Sequence, residues 1–293
     1  METVENQKNA NPSSTPNVPK AVDIKAYSGR IGYKGEWAPS LDCLKAIHFL
    51  HPQSIPFENL NPLLGIPVLL DINSIQEKLL QNGRGGYCFE HNLLLMNVLK
   101  ALGFKVKGLA ARVLWNLPED AVTARGHMLL LVEIEDMLYI SDVGFGGLTL
   151  TAPLLLKAGV EQETPHELFR LKMDRNNYLL QAKVKDEWKS LYKFSLEEQL
   201  LPDYEVTNWY LSNHPNSHFV TGLIAARSTP DKRYALRNTN FSIHHLDGTT
   251  EKKMMKSVPQ LSELLLEVFK IRLPENHGLE QSLEQLVLLE NQK

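Results

Sequence analysis

A cysteine that follows two glycines is the residue in this sequence most suited to chemistry. Cys88 lies in Arg84-Gly-Gly-Tyr-Cys-Phe-Glu90, and a helical pattern starts directly after the glycines. We expect Cys88 at a helix amino terminus, where free N–H groups and the helix dipole would stabilise a thiolate and the oxyanion of a tetrahedral intermediate. The alternative is a small buried residue in a core helix, the more common role of a free cysteine. The other cysteine, Cys43, lies in an apolar helical pattern and is predicted to be structural.

A thiol nucleophile needs a base, and the base needs a third group that orients it. His127 opens one predicted strand and Asp142 closes the next, and the chain between them turns at Glu135-Asp136. In that register the two side chains are diagonal neighbours on one face of a hairpin, within reach of a hydrogen bond. A slip of one residue would separate them, and such a pair can also be purely structural. We predict that Cys88, His127 and Asp142 form a catalytic triad.

The elements around these residues change character twice along the chain. Residues 1–20 are polar and proline-rich and are predicted to be a disordered tail. The pattern is helical over 21–103, has a period of two over 104–201, and is mixed over 202–293. We therefore expect an α+β protein with a helical bundle that carries the nucleophile, a β-domain that carries the histidine and the aspartate, and a third mixed domain.

Local signals predict where several elements begin and end. A helix over 74–81 has Asn73 as its expected cap, and the helix that starts at Cys88 is expected to end before Gly103. Residues 55–60 are too rich in breakers for regular structure. Strands are predicted at 104–109, 113–115, 128–134, 138–143, 169–173, 178–184, 188–194, 218–225, 233–236 and 240–245. The other predicted helices lie near 41–50, 204–212, 258–271 and 279–289.

Composition is that of an ordinary globular protein. The chain has 293 residues, of which 43% are hydrophobic and 22% charged, and its formal net charge is −3. This balance offers no global attraction to nucleic acid or to an anionic membrane. No secretory signal pattern and no apolar run of about 20 residues occurs, and histidines and cysteines do not cluster at zinc-ligand spacing. We expect a cytoplasmic protein without a metal ion.

Several motifs together resemble those of one enzyme family. They are Ile55-Pro-Phe-Glu-Asn-Leu60, Arg84-Gly-Gly-Tyr-Cys-Phe-Glu90, His127, Asp142-Val-Gly-Phe-Gly-Gly147 and Trp209-Tyr-Leu-Ser-Asn-His-Pro-Asn-Ser-His-Phe219. In this order, over about residues 22–290, they closely resemble the arylamine N-acetyltransferases. The resemblance implies a papain- and transglutaminase-like cysteine enzyme core, built from a helical bundle, a β-barrel and an α/β lid.

The resemblance also implies a reaction. Members of that family transfer acetyl from acetyl-CoA to arylamines and arylhydrazines through a thioester on the cysteine, by ping-pong chemistry. In this sequence Cys88 would attack the thioester, His127 would assist and Asp142 would orient His127. Acetyl-CoA would be a co-substrate, the partners would be small molecules, and no metal would be involved.

Further positions carry over from the family motifs. Phe57, Val113 and Phe145 match residues that line the acceptor pocket, and Gly146 and Ser217 match places near CoA. Each of these residues also has an ordinary structural interpretation that is equally good on composition alone. Phe57, Val113 and Phe145 could pack in the core, Gly146 could form a turn, and Ser217 could lie in a surface loop.

Two further matches concern the nucleophile loop. Arg84 and Glu58 match a structural ion pair of the family, which we expect to hold that loop. His91 departs from the family, since many relatives have Gln there.

Two other functions remain open at this stage. A cysteine protease or transglutaminase could use the same triad, although the papain-type Cys-Gly-Ser-Cys-Trp run is absent. A non-catalytic binding protein could use the same scaffold, but the three triad residues are intact. The preferred amine, the length of the acyl group and the oligomeric state are not determined by the sequence.

Overall fold

The computed structural model describes residues 21–275 and 278–291. The predicted disordered tail, residues 1–20, lies outside the described residues. The helices of the amino-terminal segment are α1 (Ile24–Ile31), α2 (Leu41–Ser54), α3 (Leu60–Leu63), α4 (Ile72–Gln76) and α5 (Cys88–Ala101). A π-helical turn, Glu77–Gln81, extends α4.

Helix α5 is buried on almost its whole circumference. Ten of its 14 residues are buried, as expected of a helix that passes through a core. Three of the ten are the polar residues Glu90, His91 and Asn92, which follow one another directly. Buried polar groups require hydrogen-bond partners, so this stretch can be accommodated only by specific contacts.

An eight-stranded antiparallel sheet follows α5. Its order is β5-β4-β3-β2-β9-β8-β7-β6, and the two edge strands are short. The side-chain amide of Gln162 on β6 accepts from Leu155 N on β5 at 2.8 Å and donates to Leu155 O at 2.9 Å. Gln162 thus links the two edges, and the sheet is nearly closed into a barrel. Its strands are β2 (Lys105–Val113), β3 (His127–Ile134), β4 (Met137–Ser141), β5 (Leu154–Leu155), β6 (Glu161–Glu163), β7 (Leu168–Asp174), β8 (Asn177–Val184) and β9 (Glu187–Glu198).

The carboxy-terminal segment forms a second, five-stranded sheet with helices beside it. Its order is β1-β10-β11-β12-β13, and its first strand comes from the amino-terminal segment, where Phe57 pairs with Ala226. The remaining strands are β1 (Phe57–Glu58), β10 (Ile224–Thr229), β11 (Lys232–Arg237), β12 (Asn240–His245) and β13 (Thr250–Met254). The remaining helices are α6 (Leu201–Asn213), α7 (His218–Thr221), α8 (Val258–Glu263), continued by a π-helical turn at Leu264–Val268, and α9 (Gly278–Asn291).

Four local predictions are wrong. Residues 218–225 are not one strand, because Ser217 caps a helical turn at α7 and the strand starts only at Ile224. Helix α4 begins two residues before the predicted one, since Asp71 rather than Asn73 is its cap and accepts from Ser74 N. Residues 55–60, for which no regular structure was predicted, contain the short strand β1. The two strands predicted at 104–109 and 113–115 are replaced by the single strand β2.

None of the helices in the described ranges combines the length and hydropathy that crossing a bilayer requires.

Candidate active site

Cys88 is the first residue of α5 and lies at the end of a tightly packed loop. A Cβ atom on Gly85 would lie 1.9 Å from the carbonyl oxygen of Pro56, so only glycine fits there. Gly86 forms a bridge with Phe57, and its carbonyl accepts from Glu58 N at 2.8 Å. On the other side, a Cβ on Gly144 would lie 2.8 Å from Cys88 Cα. The loop before the thiol is therefore held by close backbone contacts on both sides, in agreement with the tight turn that the two glycines predict.

His127 and Asp142 meet as the hairpin geometry predicts. The turn residues Glu135 and Asp136 both have positive φ, the backbone of a type I′ turn, and Ile134 pairs with Met137. This register brings His127 Nε2 to 2.7 Å from Asp142 Oδ2. His127 and Asp142 are 2% and 0% exposed, so the contact is shielded from water. The predicted pairing register is confirmed.

The Asp142 carboxylate accepts a hydrogen bond from four donors. Oδ2 accepts from His127 Nε2 and from the Tyr192 hydroxyl at 2.9 Å. Oδ1 accepts from Gly144 N at 2.9 Å and from Asn92 Nδ2 at 3.1 Å. Each oxygen therefore has two partners, and this saturates the carboxylate in a buried place.

Electrostatics favour a charged pair at this position. Burial alone would lower the pKa of His127, but the charge and hydrogen bond of Asp142, together with the neighbouring Cys88, raise it to about 10. The Cys88 thiol itself lies 3.8 Å from the carbonyl oxygen of Gly126. Burial alone would raise the pKa of Asp142, but the charge of His127 and hydrogen bonds from His127, Gly144 and Asn92 hold it below its usual value. At neutral pH the site therefore presents an imidazolium to Cys88. Since Nε2 contacts Asp142, the other ring nitrogen remains for the thiol.

We expect His127→Gln to slow the alkylation of Cys88 at least about tenfold throughout the interval from about pH 6 to 8, because the substitution removes the positive charge that favours the reacting sulfur anion. In the unaltered protein His127 keeps its proton below about pH 10, so that charge is present over the whole interval and is lost only as the pH rises through the pKa of His127. The measurement is the rate of iodoacetamide labelling, with the label located on the Cys88 peptide.

His218→Gln is the matched control for this labelling experiment, because His218 lines the same cleft and packs on Phe219. Its pH profile should match that of the unaltered protein. A His127→Gln profile that also matches would contradict the contact between His127 and Cys88.

Cys88 and His127 lie in the wall of a cleft of about 1310 Å³. Of the other positions matched to the family motifs, Phe57, Val113, Phe145 and Gly146 line the same cleft. Ser217 does not line it. The Ser217 hydroxyl donates to Leu211 O and accepts from Phe219 N, so that residue caps α7.

The expected ion pair is present behind the nucleophile loop. Arg84 Nη2 lies 2.7 Å from Glu58 Oε1, and both side chains are buried. Burial alone would raise the pKa of Glu58, but the charges of Arg84 and Lys78 keep it below its usual value. A second pair, between Lys78 and Glu90 at 2.6 Å, flanks the same loop, and Glu90 also accepts from Tyr87 N.

Two residues of the site were missed at the sequence level. Asn92 lies one turn after Cys88 on α5 and donates to Asp142 and to Met128 O, while its Oδ1 accepts from Val143 N. A polar residue within an apolar helical pattern was a usable signal for Asn92. Tyr192 lies on β9, 50 residues from Asp142, and its ring packs on His127 with centroids 4.9 Å apart. No local pattern distinguishes it from other strand tyrosines.

The described residues contain no group of three or more His, Cys, Asp or Glu side chains arranged to hold a metal ion. His244 and His245, which are adjacent in the sequence, contact Thr250 and Glu251.

Comparison with known proteins identifies the class. A family model described as N-acetyltransferase matches residues 40–277. The arylamine N-acetyltransferase of Mycolicibacterium smegmatis is 45% identical over 262 residues, which are 88% of this chain and 95% of that protein. An arylamine N-acetyltransferase / N-hydroxyarylamine O-acetyltransferase of Salmonella typhimurium is 39% identical over 247 residues, which are 84% and 88% of the two chains.

Solved structures agree with the sequence comparison. The arylamine N-acetyltransferase of Mycobacterium marinum in complex with CoA has a TM-score of 0.87 at 41% identity, and the match covers 90% of this chain and 99% of that one. The chain belongs to the arylamine N-acetyltransferase family. The predicted α+β fold and the predicted class, an acetyltransferase that acts on arylamines, are confirmed.

Proposed function

We propose that this protein transfers an acetyl group from acetyl-CoA to the nitrogen of arylamines and arylhydrazines, through an acetyl thioester on Cys88. The observation that carries the proposal is the arrangement of Cys88, His127 and Asp142, with the first two in the wall of one large cleft. The binding of CoA by the similar M. marinum enzyme supports acetyl-CoA as the donor.

The first half-reaction acetylates the thiol. With His127 protonated, the Cys88 sulfur attacks the thioester carbonyl of acetyl-CoA, and the carbon–sulfur bond to CoA breaks. The proton of His127 passes to the departing CoA thiolate, and free CoA leaves. Asp142 keeps the imidazole ring in the orientation that this transfer requires.

The second half-reaction uses the same groups in reverse. The amine nitrogen attacks the acetyl carbon, and the bond to Cys88 Sγ breaks. The proton lost by the amine passes to His127, which restores the imidazolium and thiolate. We assign Phe57, Val113 and Phe145 to the aromatic acceptor, because they form an apolar wall of the cleft. Gly146 is assigned to CoA contact, because it lines the cleft and matches a family position near CoA. Ser217 matches a second such position but does not line the cleft, so its assigned role is indirect, through the cap of α7.

We also propose a cytoplasmic location, in keeping with two free thiols, Cys43 and Cys88, in the described part of the chain.

The test is a CoA-release assay with a panel of arylamines and arylhydrazines. With acetyl-CoA we expect release that depends on the amine, and initial-rate plots with the parallel lines of ping-pong kinetics. Malonyl-CoA in place of acetyl-CoA tests the size of the acyl group. Release that is the same with and without amine would indicate a hydrolase, and intersecting lines would indicate direct transfer without an acetyl-enzyme. No release with any amine would contradict the proposal.

A further inference from the structure

A chain of buried hydrogen bonds runs from α1 to the nucleophile loop, outside the triad. The Tyr27 hydroxyl lies 2.9 Å from His51 Nδ1, and His51 Nε2 lies 2.9 Å from His91 Nδ1. His91 Nε2 lies 3.1 Å from the carbonyl oxygens of both Pro56 and Gly86. Tyr27, His51 and His91 are at most 1% exposed.

The direction of this chain follows from hydrogen-bond chemistry. Carbonyl oxygens only accept, so His91 Nε2 carries a proton, and in a neutral ring His91 Nδ1 must then accept. His51 Nε2 therefore donates to His91, His51 Nδ1 accepts, and the Tyr27 hydroxyl donates. With both rings neutral, a single arrangement of protons satisfies every pair.

The surroundings keep both rings neutral at physiological pH. Burial lowers the pKa of His91 to about 4, against the opposing effect of its two carbonyl partners. Burial, the neighbouring imidazoles of His91 and His48 and the charge of Arg30 hold the pKa of His51 well below its usual value. The titratable or charged groups that face the two rings are Tyr27 and Arg30 from α1, His48 from α2, Glu58 from β1 and Lys78 from the π-helical turn.

The chain ends on the backbone that positions Cys88. Gly86 is two residues before the nucleophile, and Pro56 directly precedes Phe57, which bridges to Gly86. The His91 ring is also parallel to the Phe57 ring within 5°, with centroids 6.4 Å apart. Phe57 lines the cleft beside Cys88. His91 therefore contacts both the loop that carries the thiol and the segment that forms one wall of the cleft.

We propose that His91 is a positioning residue, which holds the Gly86 and Pro56 carbonyls and so aligns Cys88 with the cleft. This inference rests on the proposed function, in which Cys88 is the acetylated nucleophile. The two carbonyls determine that His91 Nε2 carries the proton, and the Tyr27–His51 pair completes the chain by donating to His91 Nδ1, which anchors the ring.

Two substitutions at His91 test the role. A glutamine can accept from His51 through Oε1 and donate two protons to the two carbonyls, so His91→Gln should acetylate Cys88 within about threefold of the wild-type rate. His91→Leu removes both functions and should slow acetylation about 10–100-fold, while half-saturation by acetyl-CoA changes less than about threefold. The measurement is a single-turnover reaction with acetyl-CoA alone, followed by intact-protein mass spectrometry.

Leu99→Ala is the control for a general loss of stability, because Leu99 is fully buried on the same helix about 12 Å further along its axis. It should leave the acetylation rate near that of the wild type. Two results would show that His91 does not position Cys88. One is a His91→Leu variant that is acetylated as fast as the wild type, and the other is a Leu99→Ala variant that is slowed as much as His91→Leu. If the wild-type protein itself forms no acetyl-Cys88, the proposed function fails, and this result is distinct from the other two.

A pH series keeps the inference testable if His91→Leu does not fold. As the pH falls from about 6 toward 4, His91 gains a second N–H, at Nδ1, which faces the N–H of His51. The hydrogen bond that anchors the His91 ring on α2 then breaks, and a ring that donates to the loop through Nε2 alone no longer holds it in one position. The wild type should therefore lose acetylation rate in this interval, whereas His91→Gln, which has no titratable side chain at position 91, should retain at least about threefold more of its neutral-pH rate. His48 and His51 are present in both proteins, so the difference reports on His91. Identical acid limbs would overturn the inference.

Discussion

Cys88→Ala is expected to lower acetyl transfer by roughly 10⁴-fold or more, because removal of a covalent nucleophile leaves only the binding of substrates. The substitution takes away the sulfur and leaves the rest of α5 in place. Acetyl-CoA alone should add one acetyl group to the wild-type protein and none to this variant. The measurements are the rate of CoA release with a reactive arylamine and the mass of the intact protein.

Cys43→Ala is the matched control, because it removes the same atoms from a residue that is equally buried. Cys43 is 3% exposed on α2, and Cys88 is 3% exposed on α5. The chain has two cysteines, so this pair of variants covers every thiol in the sequence. Cys43→Ala should keep the acetyl adduct and the turnover rate. An adduct that persists in Cys88→Ala, or a peptide map that places it on another residue, would contradict the thioester mechanism.

Asp142→Asn is expected to slow acetylation of Cys88 by about 10³–10⁴-fold, as loss of the orienting carboxylate does in a comparable triad. All four hydrogen bonds to Asp142 come from donors, namely His127, Tyr192, Gly144 and Asn92. The amide of asparagine places an N–H group against at least one of them. If that group faces His127, the ring must turn or change tautomer, and the imidazolium also loses its counter-charge.

Asp136→Asn is the control for this change. Asp136 lies in the turn of the same hairpin at a φ of 60°, a conformation that asparagine adopts readily. It should leave activity and stability unchanged. Asp142→Asn should unfold at a lower urea concentration, since a buried donor without an acceptor costs about 1–3 kcal/mol. Wild-type acetylation rates in folded Asp142→Asn would show that the pair is structural rather than part of the reaction.

The hairpin that carries His127 and Asp142 is a feature that local sequence signals were sufficient to predict. One polar break, Glu135-Asp136, determined the turn, and the period of two then determined which residues face each other. The start of α5 at Cys88 and its end before Gly103, which has a φ of 86°, also follow from local signals. These features were predictable because their causes lie within a few residues of one another.

The errors share the opposite cause. The strand β1 exists because Phe57 and Glu58 pair with Ala226 and Ala225, more than 160 residues away. The segment 218–225 has the composition of a strand, but the cap at Ser217 and the hydrogen bonds of Asn59 to Phe219 O and Gly222 O hold it in another conformation. Strand propensity, which is read from neighbouring residues, cannot predict such contacts, because they are made by residues that are distant in the sequence.

The sequence by itself determined the three residues of the candidate triad, the helix start that presents Cys88, the glycine turn before it and the hairpin register that joins His127 to Asp142. Tertiary structure alone decided the partners that saturate Asp142, the closure of the barrel by Gln162 and the chain from Tyr27 through His51 to His91. The physical reason is that a buried polar group must find a partner wherever the packed fold provides one. That partner is selected by proximity in space. The residue type can mark a side chain such as Asn92 as one that needs a partner, but the sequence does not reveal which group the partner is.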